Sequence, residues 1–318
     1  MMETSLQKGI SIIIPVYRSQ ESLSFVVEEL GNVLPTLAEQ YELIFVDDSS
    51  PDNSWAVIQT LIKTHDWIRA IQLMRNYGQH NALLCGIRQA RYDTIITMDD
   101  DLQHPPDQIP LLLAQLDNGY DVVYGTPQHE QHGLLRDLAS QITKIALQNS
   151  MGVETARNVS AFRAFRTEIR QAFTQYHSPY VSIDVLLTWG TSRFTAVQVQ
   201  HDERKFGTSN YTLRKLITHA LNMITGFSVV PLQLASLLGF VLSVFGLLIF
   251  IYVIGRYLIE GGSVPGFPFL ASIIAVFSGA QLFAIGIIGE YLARIHFRTM
   301  ERPVYTVRTI LESSDKNA

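Results

Sequence analysis

Short apolar runs rich in isoleucine and valine alternate with longer amphipathic segments through residues 10–125. The runs with strand character are Ile10–Val16, Glu42–Val46, Ile68–Leu73, Thr94–Met98 and Asp121–Tyr124. The segments with helical spacing lie between them, at Glu21–Leu37, Asn53–Thr64, Gln79–Ala90 and Gln108–Asn118. Regular strand–helix alternation predicts an α/β, Rossmann-like domain whose mostly parallel sheet is covered by helices on both faces.

A second pattern begins near residue 227, where charged side chains disappear. Phe227–Gly255 and Val264–Gly289 contain no Asp, Glu, Lys or Arg. Within them, Leu232–Ile254 and Phe269–Ile288 are each long enough to cross the hydrocarbon layer of a bilayer. Buried helices of a soluble domain are the alternative, but such helices rarely lack charge over this length. The pattern therefore predicts two transmembrane helices.

Basic residues indicate how these two spans are oriented. They precede the first span and follow the second, at Arg204, Lys205, Arg214, Lys215, Arg294, Arg298, Arg302 and Arg308. The loop between the spans carries Arg256 as its only Lys or Arg. Because basic residues concentrate on the cytoplasmic side of membrane proteins, we expect the N-terminal domain and both termini in the cytoplasm.

These patterns divide the chain into four expected parts. Residues 1–210 form the cytoplasmic domain, and residues 211–228 form an amphipathic helix lying on the bilayer surface, with an ordinary core helix as the alternative. Residues 229–292 form a transmembrane hairpin, and residues 293–318 form a cytoplasmic tail. Small residues in the spans permit close helix contact and predict a homo-oligomer; they are Gly239, Gly246, Gly279, Gly286 and Gly289.

The amino-acid composition argues against some classes of function and structure. The formal net charge of −5 at pH 7 over 318 residues gives no sign of a nucleic-acid partner. The single cysteine, Cys85, excludes an intramolecular disulfide framework. Its apolar neighbours predict a small, packed side chain.

The most informative polar feature is the run Asp99-Asp100-Asp101, directly after an apolar strand. Three carboxylates at the end of a buried strand repel one another unless a cation joins them. Asp99 and Asp101 alternate and can converge on one ion, and oxygen ligands suit Mg²⁺ or Mn²⁺. An ion held by few carboxylates takes its other ligands from a phosphorylated substrate. A solvated acidic turn is the alternative interpretation.

Polar residues also follow the other predicted strands at the same edge of the sheet. They are Tyr17 and Glu21 after the first strand, Asp47–Ser50 after the second, and Arg75–Gly78 after the third. Ligands of open α/β sheets bind beyond the carboxyl ends of the strands. The sequence contains neither GxGxxG nor GxxxxGK[ST], so neither a dinucleotide nor a P-loop site is expected.

In this order, the motifs resemble family 2 glycosyltransferases of the GT-A fold. The nearest branch acts on polyprenyl phosphates and includes dolichol-phosphate mannose synthases and bacterial undecaprenyl-phosphate sugar transferases. The matching segments are Pro15-Val16-Tyr17 with Glu21, Val46–Ser50, Arg75–His80, Asp99–Pro106, and Arg204–Leu213 followed by two spans. The resemblance covers nearly the whole chain. It implies an inverting, metal-dependent hexosyltransferase of the bacterial inner membrane, using a nucleotide sugar, with UDP expected, and undecaprenyl phosphate.

The resemblance also implies a role for each matching residue. The nucleotide would be bound by Pro15, Tyr17, Glu21, Asp47, Asp48, Arg75 and Asp100. Asp99, Asp101 and Gln103 would hold Mg²⁺ or Mn²⁺ against the donor pyrophosphate. The lipid phosphate would meet Arg204, Lys205, Ser209, Tyr211 and Arg214. Catalysis would depend on Asp99, Asp101, Arg157 and Arg163.

One segment departs from the family pattern. Many relatives carry an aspartate in the stretch that corresponds to Ala156–Arg163, whereas this chain has Arg157 and no carboxylate there. A phosphomonoester has a second pKa near ~6, so the lipid phosphate is already anionic at cytoplasmic pH. It needs positioning more than proton removal. Arg157 could supply that positioning, with a solvated loop charge as the alternative. Asp184 is interpreted as a cap or buried salt-bridge partner, with a substitute catalytic carboxylate as the alternative.

Three other functions remain open at this point. A polysaccharide-elongating family 2 enzyme would carry a QxxRW motif and more spans, and the sequence around Trp189 lacks that motif. A catalytically silent, nucleotide-sugar-binding adaptor has only the missing carboxylate in its favour. A metal-dependent nucleotidyltransferase or phosphatase explains the acidic run but not the basic segment before the first span.

Overall fold

The computed structural model describes residues 6–127, 159–178, 181–202, 230–260, 266–300 and 302–312. It contains two compact units, one formed by residues 1–216 with 301–318 and the other by residues 217–300. The first unit contains the sheet, and the second contains two long helices. The interfacial helix predicted at 211–228 lies outside the described residues.

The first unit is built on an eight-stranded mixed sheet in the order β7-β5-β6-β4-β1-β2-β3-β8. The strands are β1 Gln7–Val16, β2 Tyr41–Asp47, β3 Ile68–Leu73, β4 Tyr92–Thr97, β5 Val122–Pro127, β6 Arg163–Arg166, β7 Phe194–Val199 and β8 Val307–Glu312. The central strands β4, β1, β2 and β3 run parallel, and β5 is parallel to β7. Strand β6 separates β4 from β5 and is antiparallel to both. The predicted mostly parallel sheet is confirmed.

Helices cover both faces of the central strands, as predicted. They are α1 Leu23–Leu37, α2 Ser54–Thr64, α3 Gln79–Gln89, α4 Ile109–Asp117 and α5 Ile183–Thr188. On one face, Ile12 and Ile14 of β1 lie in the same buried cluster as Leu30 of α1. On the other face, Gly86 lets α3 approach the sheet closely, because a Cβ there would lie 2.4 Å from Cγ2 of Ile13. Cys85 is a buried free thiol, as predicted.

The C-terminal segment is not a tail, so this part of the predicted division is wrong. Strand β8 pairs antiparallel with β3 and completes the sheet at that edge. Its Glu312 accepts hydrogen bonds from Arg69 at 3.1 Å and Arg91 at 2.8 Å. Arg69 also pairs with the buried Glu42 at 2.8 Å. Strand β8 therefore pairs the backbone groups at the edge of β3, and its Glu312 gives Arg69 a second carboxylate partner.

The second unit contains helices α6 Val230–Glu260 and α7 Phe267–Thr299. Each includes a segment long and apolar enough to cross a membrane, Val230–Ile259 and Val276–His296. Neither segment is buried inside the protein, so their apolar side chains are available to lipid. Helix α7 continues past residue 292, the end predicted for the hairpin, because the segment to Thr299 keeps helix-forming residues such as Ala293 and Arg294.

Candidate functional site

The site lies where the carboxyl ends of the parallel strands meet. Backbone hydrogen bonds hold these ends together: Asp48 N donates to Val16 O at 2.9 Å, and Met98 N donates to Ile13 O at 3.3 Å. Three neighbouring loops, after β1, β2 and β4, therefore open at one edge. Pro15 is buried within β1, whereas Tyr17 (39% exposed) and Glu21 lie at the surface.

Asp47 holds the loop after β2 from the inside. It is fully buried. Its Oδ1 accepts a hydrogen bond from Ser50 N at 3.1 Å, and its Oδ2 accepts one from the Gln72 amide at 3.2 Å. In this conformation the carboxylate shapes the loop and has no exposed surface toward a ligand.

Asp48 docks the loop after β3 onto the end of β2. Its two carboxylate oxygens accept hydrogen bonds from the backbone nitrogens of Tyr77 and Gly78, each at 2.7 Å. Burial raises the pKa of Asp48, while these two donors oppose that rise and Asp47 adds to it. Gly78 has φ of +94°, a conformation that favours glycine, and helix α3 begins at the next residue.

The docked loop presents a cationic side chain at the surface. The Arg75 guanidinium lies 4.6 Å from the centre of the Tyr77 ring, within cation–π range, and Arg75 is exposed. A guanidinium stacked in this way is restrained while its donors stay available for an anion.

The acidic group Asp99–Asp101 lies in the loop after β4, and two of its carboxylates accept hydrogen bonds from glutamines. Asp99 Oδ1 accepts a hydrogen bond from the Gln79 amide at 2.7 Å, and Asp101 Oδ1 accepts one from Gln103 N at 3.1 Å. Leu102, with φ of +55°, reverses the chain so that Gln103 turns back toward Asp101. Burial raises the pKa of Asp100 to about 7; a hydrogen bond from Ser19 lowers it, and the charges of Asp99 and Asp101 raise it further.

This group fits a divalent cation that has few protein ligands. Mutual repulsion of the carboxylates is relieved when a cation lies between them. Among the described residues, no cluster of three or more His, Cys, Asp or Glu could hold an ion. If Asp99, Asp101 and the Gln103 amide oxygen held a cation, they would supply only part of its coordination shell, and a phosphorylated ligand would supply the rest.

His201, which the sequence analysis did not single out, lies beside Gln103. His201 Nε2 lies 3.3 Å from Gln103 Nε2, and Asp202 N donates to Gln103 O at 2.8 Å. His104 stacks on the ring of Phe162, with ring centres 5.2 Å apart. Burial, helped by His201, lowers the pKa of His104 to about 4, so its ring is neutral. The only signal in the sequence is that His201 precedes the basic segment beginning at Arg204.

Arg163, predicted as a catalytic residue, lies in the interior of the sheet, and its catalytic role stays a prediction. Arg163 is 2% exposed, and its guanidinium pairs with Asp184 and donates from Nε to Thr97 Oγ1 at 3.1 Å. Asp184 also accepts a hydrogen bond from the Tyr124 hydroxyl at 3.1 Å. A charge buried in the sheet requires such a partner. The ion pair with Asp184 therefore holds the Arg163 guanidinium in the interior. The interpretation of Asp184 as a buried salt-bridge partner is confirmed.

The remaining predicted residues lie outside the described part of the chain. They are Arg157, assigned to catalysis, and the proposed acceptor residues Arg204, Lys205, Ser209, Tyr211 and Arg214. Their roles stay predictions.

Comparison with known proteins agrees with this architecture. The model of the family described as "Glycosyl transferase family 2" matches residues 11–173. The chain is 35% identical over 322 residues to the undecaprenyl-phosphate 4-deoxy-4-formamido-L-arabinose transferase of Yersinia enterocolitica, covering 100% of this chain and 98% of the relative. The transferase of the same name from Proteus mirabilis is 36% identical, covering 95% and 94%.

Two solved structures share the fold. Glucosyl-3-phosphoglycerate synthase from Mycobacterium tuberculosis, in complex with Mn²⁺ and UDP-glucose, aligns with a TM-score of 0.52 at 17% identity, covering 69% of this chain and 77% of its own. Mannosyl-3-phosphoglycerate synthase from Rubrobacter xylanophilus aligns with a TM-score of 0.51 at 19% identity, covering 68% and 72%.

Proposed function

This chain belongs to glycosyl transferase family 2, and from that premise we propose that it transfers a sugar from a nucleotide-diphosphate sugar to undecaprenyl phosphate. The observation that carries the proposal is that two polar groups meet at one edge of the sheet. Asp48 binds the loop after β3, and Gln79, directly after that loop, donates to Asp99 at 2.7 Å. The relatives that match over nearly their full length carry the same activity in their names.

The donor would lie across the strand ends with its pyrophosphate beside Asp99 and Asp101. When bound there, Mg²⁺ or Mn²⁺ supplies charge stabilisation to the departing nucleotide diphosphate. One oxygen of the lipid phosphate attacks the anomeric carbon, and the bond from that carbon to the diphosphate oxygen breaks with inversion. Because the nucleophile is already anionic, the reaction needs no carboxylate in the Arg157 segment.

The proposed sugar differs from the hexose implied by the resemblance. The named relatives act on 4-deoxy-4-formamido-L-arabinose, a pentose derivative. At 35–36% identity over nearly the whole length, we propose the same sugar here, activated by UDP. The two apolar helices would anchor the chain in the bacterial inner membrane, with the first unit and both termini in the cytoplasm, where the acceptor head group is reached at the bilayer surface.

A direct assay tests the function. The full chain, purified in detergent, is incubated with undecaprenyl phosphate, Mg²⁺ or Mn²⁺, and a panel of UDP- and GDP-sugars that includes UDP-4-deoxy-4-formamido-L-arabinose. We expect a charged, lipid-extractable sugar with that donor. A long water-soluble glycan would support polysaccharide elongation instead. Donor binding without any transfer would support the silent adaptor.

Asp48→Asn is expected to raise the KM for the donor about tenfold. The asparagine NH₂ group would face one of the two backbone N–H donors, of Tyr77 or Gly78, and cannot accept from it. One charge-assisted hydrogen bond, about 1.5–3 kcal/mol, is then lost, and the loop after β3 is held less firmly. Steady-state kinetics at saturating acceptor measure the change. Asp66→Asn, an exposed position before β3, is the control. Equal donor KM values in the two variants would refute this use of Asp48.

Arg204→Ala is expected to raise the KM for undecaprenyl phosphate about tenfold and to leave the donor KM unchanged. The reason is loss of charge-assisted hydrogen bonding to the lipid phosphate. Kinetics with varied acceptor at fixed donor measure the effect. Arg193→Ala, an arginine paired with Asp121 at the surface, is the matched control. Unaltered acceptor kinetics in Arg204→Ala would remove Arg204 from the acceptor site.

A further inference from the structure

We propose that Arg308, on the returning strand β8, is a positioning residue of the nucleotide-sugar site, because it holds the peptide bond that leads into Arg75. The inference rests on the proposed function in taking the loop after β3, Arg75–Gly78, as part of that site. Neither the motifs nor the family resemblance assigns Arg308 a part in binding or catalysis. In the sequence it is one of several basic residues that follow the second apolar run.

The start of the loop is held through both backbone groups of Met74, the residue before Arg75. Met74 N donates a hydrogen bond to Thr306 O at 2.9 Å. Met74 O accepts one from Arg308 Nη2 at 3.2 Å. Met74 is therefore fastened on one side by the backbone that leads into β8. On the other side, the Arg308 guanidinium fastens the carbonyl that is bonded to Arg75 N.

A β-bulge in β8 places the Arg308 side chain against the end of β3. Gln72 pairs with Thr309, whereas the next residue, Leu73, pairs with Val307. At this point β8 has one residue more than β3, and that extra residue is Arg308. Bulges redirect side chains from the regular alternation of a strand and are common beside active sites. The irregular register therefore aims the guanidinium at the carbonyl where the loop begins.

The other end of the loop is held as well. Asp48 accepts hydrogen bonds from Tyr77 N and Gly78 N at 2.7 Å each, and the Asn81 side-chain amide donates to Tyr77 O. Two residues, the first of them Arg75, lie between the anchored ends. The Arg75 guanidinium is further restrained by the Tyr77 ring, 4.6 Å away. The position of this cationic group therefore depends on both anchors.

A loop held in advance favours ligand binding because it loses little conformational freedom when the ligand arrives. The hydrogen bond between Arg308 and the Met74 carbonyl lies at the surface. Water can therefore replace the guanidinium in a variant, and the fold should persist without it. Loss of Arg308 is thus expected to act on ligand affinity and loop order rather than on folding.

Three single variants of the full chain in detergent separate positioning from simple strand attachment. Arg308→Ala removes the hydrogen bond to Met74, and Arg308→Lys keeps a cationic group that can donate to the same carbonyl. Arg91→Ala is the matched control, since Arg91 is an exposed arginine that contacts Glu312 at the other end of β8, at 2.8 Å. Binding of UDP in the presence of Mn²⁺ is measured by calorimetry. Hydrogen exchange of the backbone amides is followed by mass spectrometry.

We expect Arg308→Ala to weaken UDP binding about three- to tenfold and to speed amide exchange in residues 74–78, with exchange in residues 310–312 unchanged. Arg308→Lys should recover most of the affinity, and Arg91→Ala should bind UDP as the parent chain does. In an Asp48→Asn background, Arg308→Ala should cause little further loss, because one end of the same loop is already released.

Parental UDP affinity in Arg308→Ala, or a loss of equal size in both backgrounds, would overturn the inference. Weaker binding with unchanged exchange in the loop would also overturn it, since the guanidinium would then act on the phosphates directly. Faster exchange along the whole of β8 would instead indicate general loosening of the strand and would overturn it too, as would absence of UDP binding by the parent chain. If the expected pattern holds but no sugar reaches undecaprenyl phosphate, the proposed function fails and the role of Arg308 stands.

Discussion

Asp101→Asn is expected to lower turnover roughly a thousandfold while leaving the fold intact. The substitution keeps an oxygen that accepts from Gln103 N, now 3.1 Å from Asp101 Oδ1, so the turn at Leu102 should persist. It removes the negative charge that faces the cation. Losing about 4 kcal/mol of stabilisation of the departing diphosphate corresponds to roughly three orders of magnitude in rate.

Turnover is measured at saturating donor and acceptor over a titration of Mn²⁺, and the thermal midpoint is measured in parallel. The control is Asp107→Asn, the same change at an exposed position in the following segment. We expect Asp107→Asn to retain parental turnover. Parental turnover in Asp101→Asn, under strict control of trace metal, would show that the acidic group is not the metal site. Asp101→Ala, which removes both oxygens, should abolish turnover.

Arg69→Ala is expected to lower the free energy of unfolding by about 3–5 kcal/mol. Arg69 is 9% exposed and contacts Glu42 at 2.8 Å and Glu312 at 2.9 Å. After the substitution, the Glu42 carboxylate stays buried because Ser11 Oγ and Arg91 N still donate to it. A buried charge without its counter-ion is strongly destabilising, and strand β8 loses one of the groups that hold it to the sheet.

Thermal unfolding in detergent measures this prediction, with Arg193→Ala as the matched control. Arg193 also pairs with a carboxylate at 2.8 Å, but it is 66% exposed, so its loss should cost about 0–1 kcal/mol. For a domain of this size each kcal/mol moves the midpoint by about 2–4 °C. A shift no larger than that of Arg193→Ala would contradict the prediction. Adding Glu42→Gln to Arg69→Ala should recover part of the loss, because it removes the stranded charge.

The candidate site was largely predictable because its residues follow strands. Side chains directly after parallel strands lie at the same edge of the sheet, whatever the conformation of the loops. The sequence alone therefore predicted that Asp48, Asp99 and Asp101 lie at one edge. What each carboxylate contacts was not predictable. Asp47 and Asp48 are adjacent in sequence, yet one is turned inward to Ser50 and Gln72 and the other captures the loop after β3.

Arg163 shows why position in a motif is a weak guide to exposure. The residue follows Phe162 in a segment that the family resemblance connects with catalysis, but it belongs to the antiparallel strand β6 inside the sheet. Its partner Asp184 lies 21 residues further along the chain, and nothing local in the sequence pairs them. The same is true of His201 and Gln103, which are 98 residues apart.

By itself, the sequence determined the features that depend on local period and length. Alternation of strand and helix patterns, the polar strand ends and the two long apolar runs each follow from short-range geometry and transfer energies. Only the tertiary structure decided which edge strand β8 joins, that Arg163 is neutralised in the interior, and that His201 meets the Gln103 amide. These outcomes depend on contacts between segments that are far apart in the chain. Such contacts form only when the complete sheet assembles, because every buried charge and hydrogen-bonding group then needs a partner.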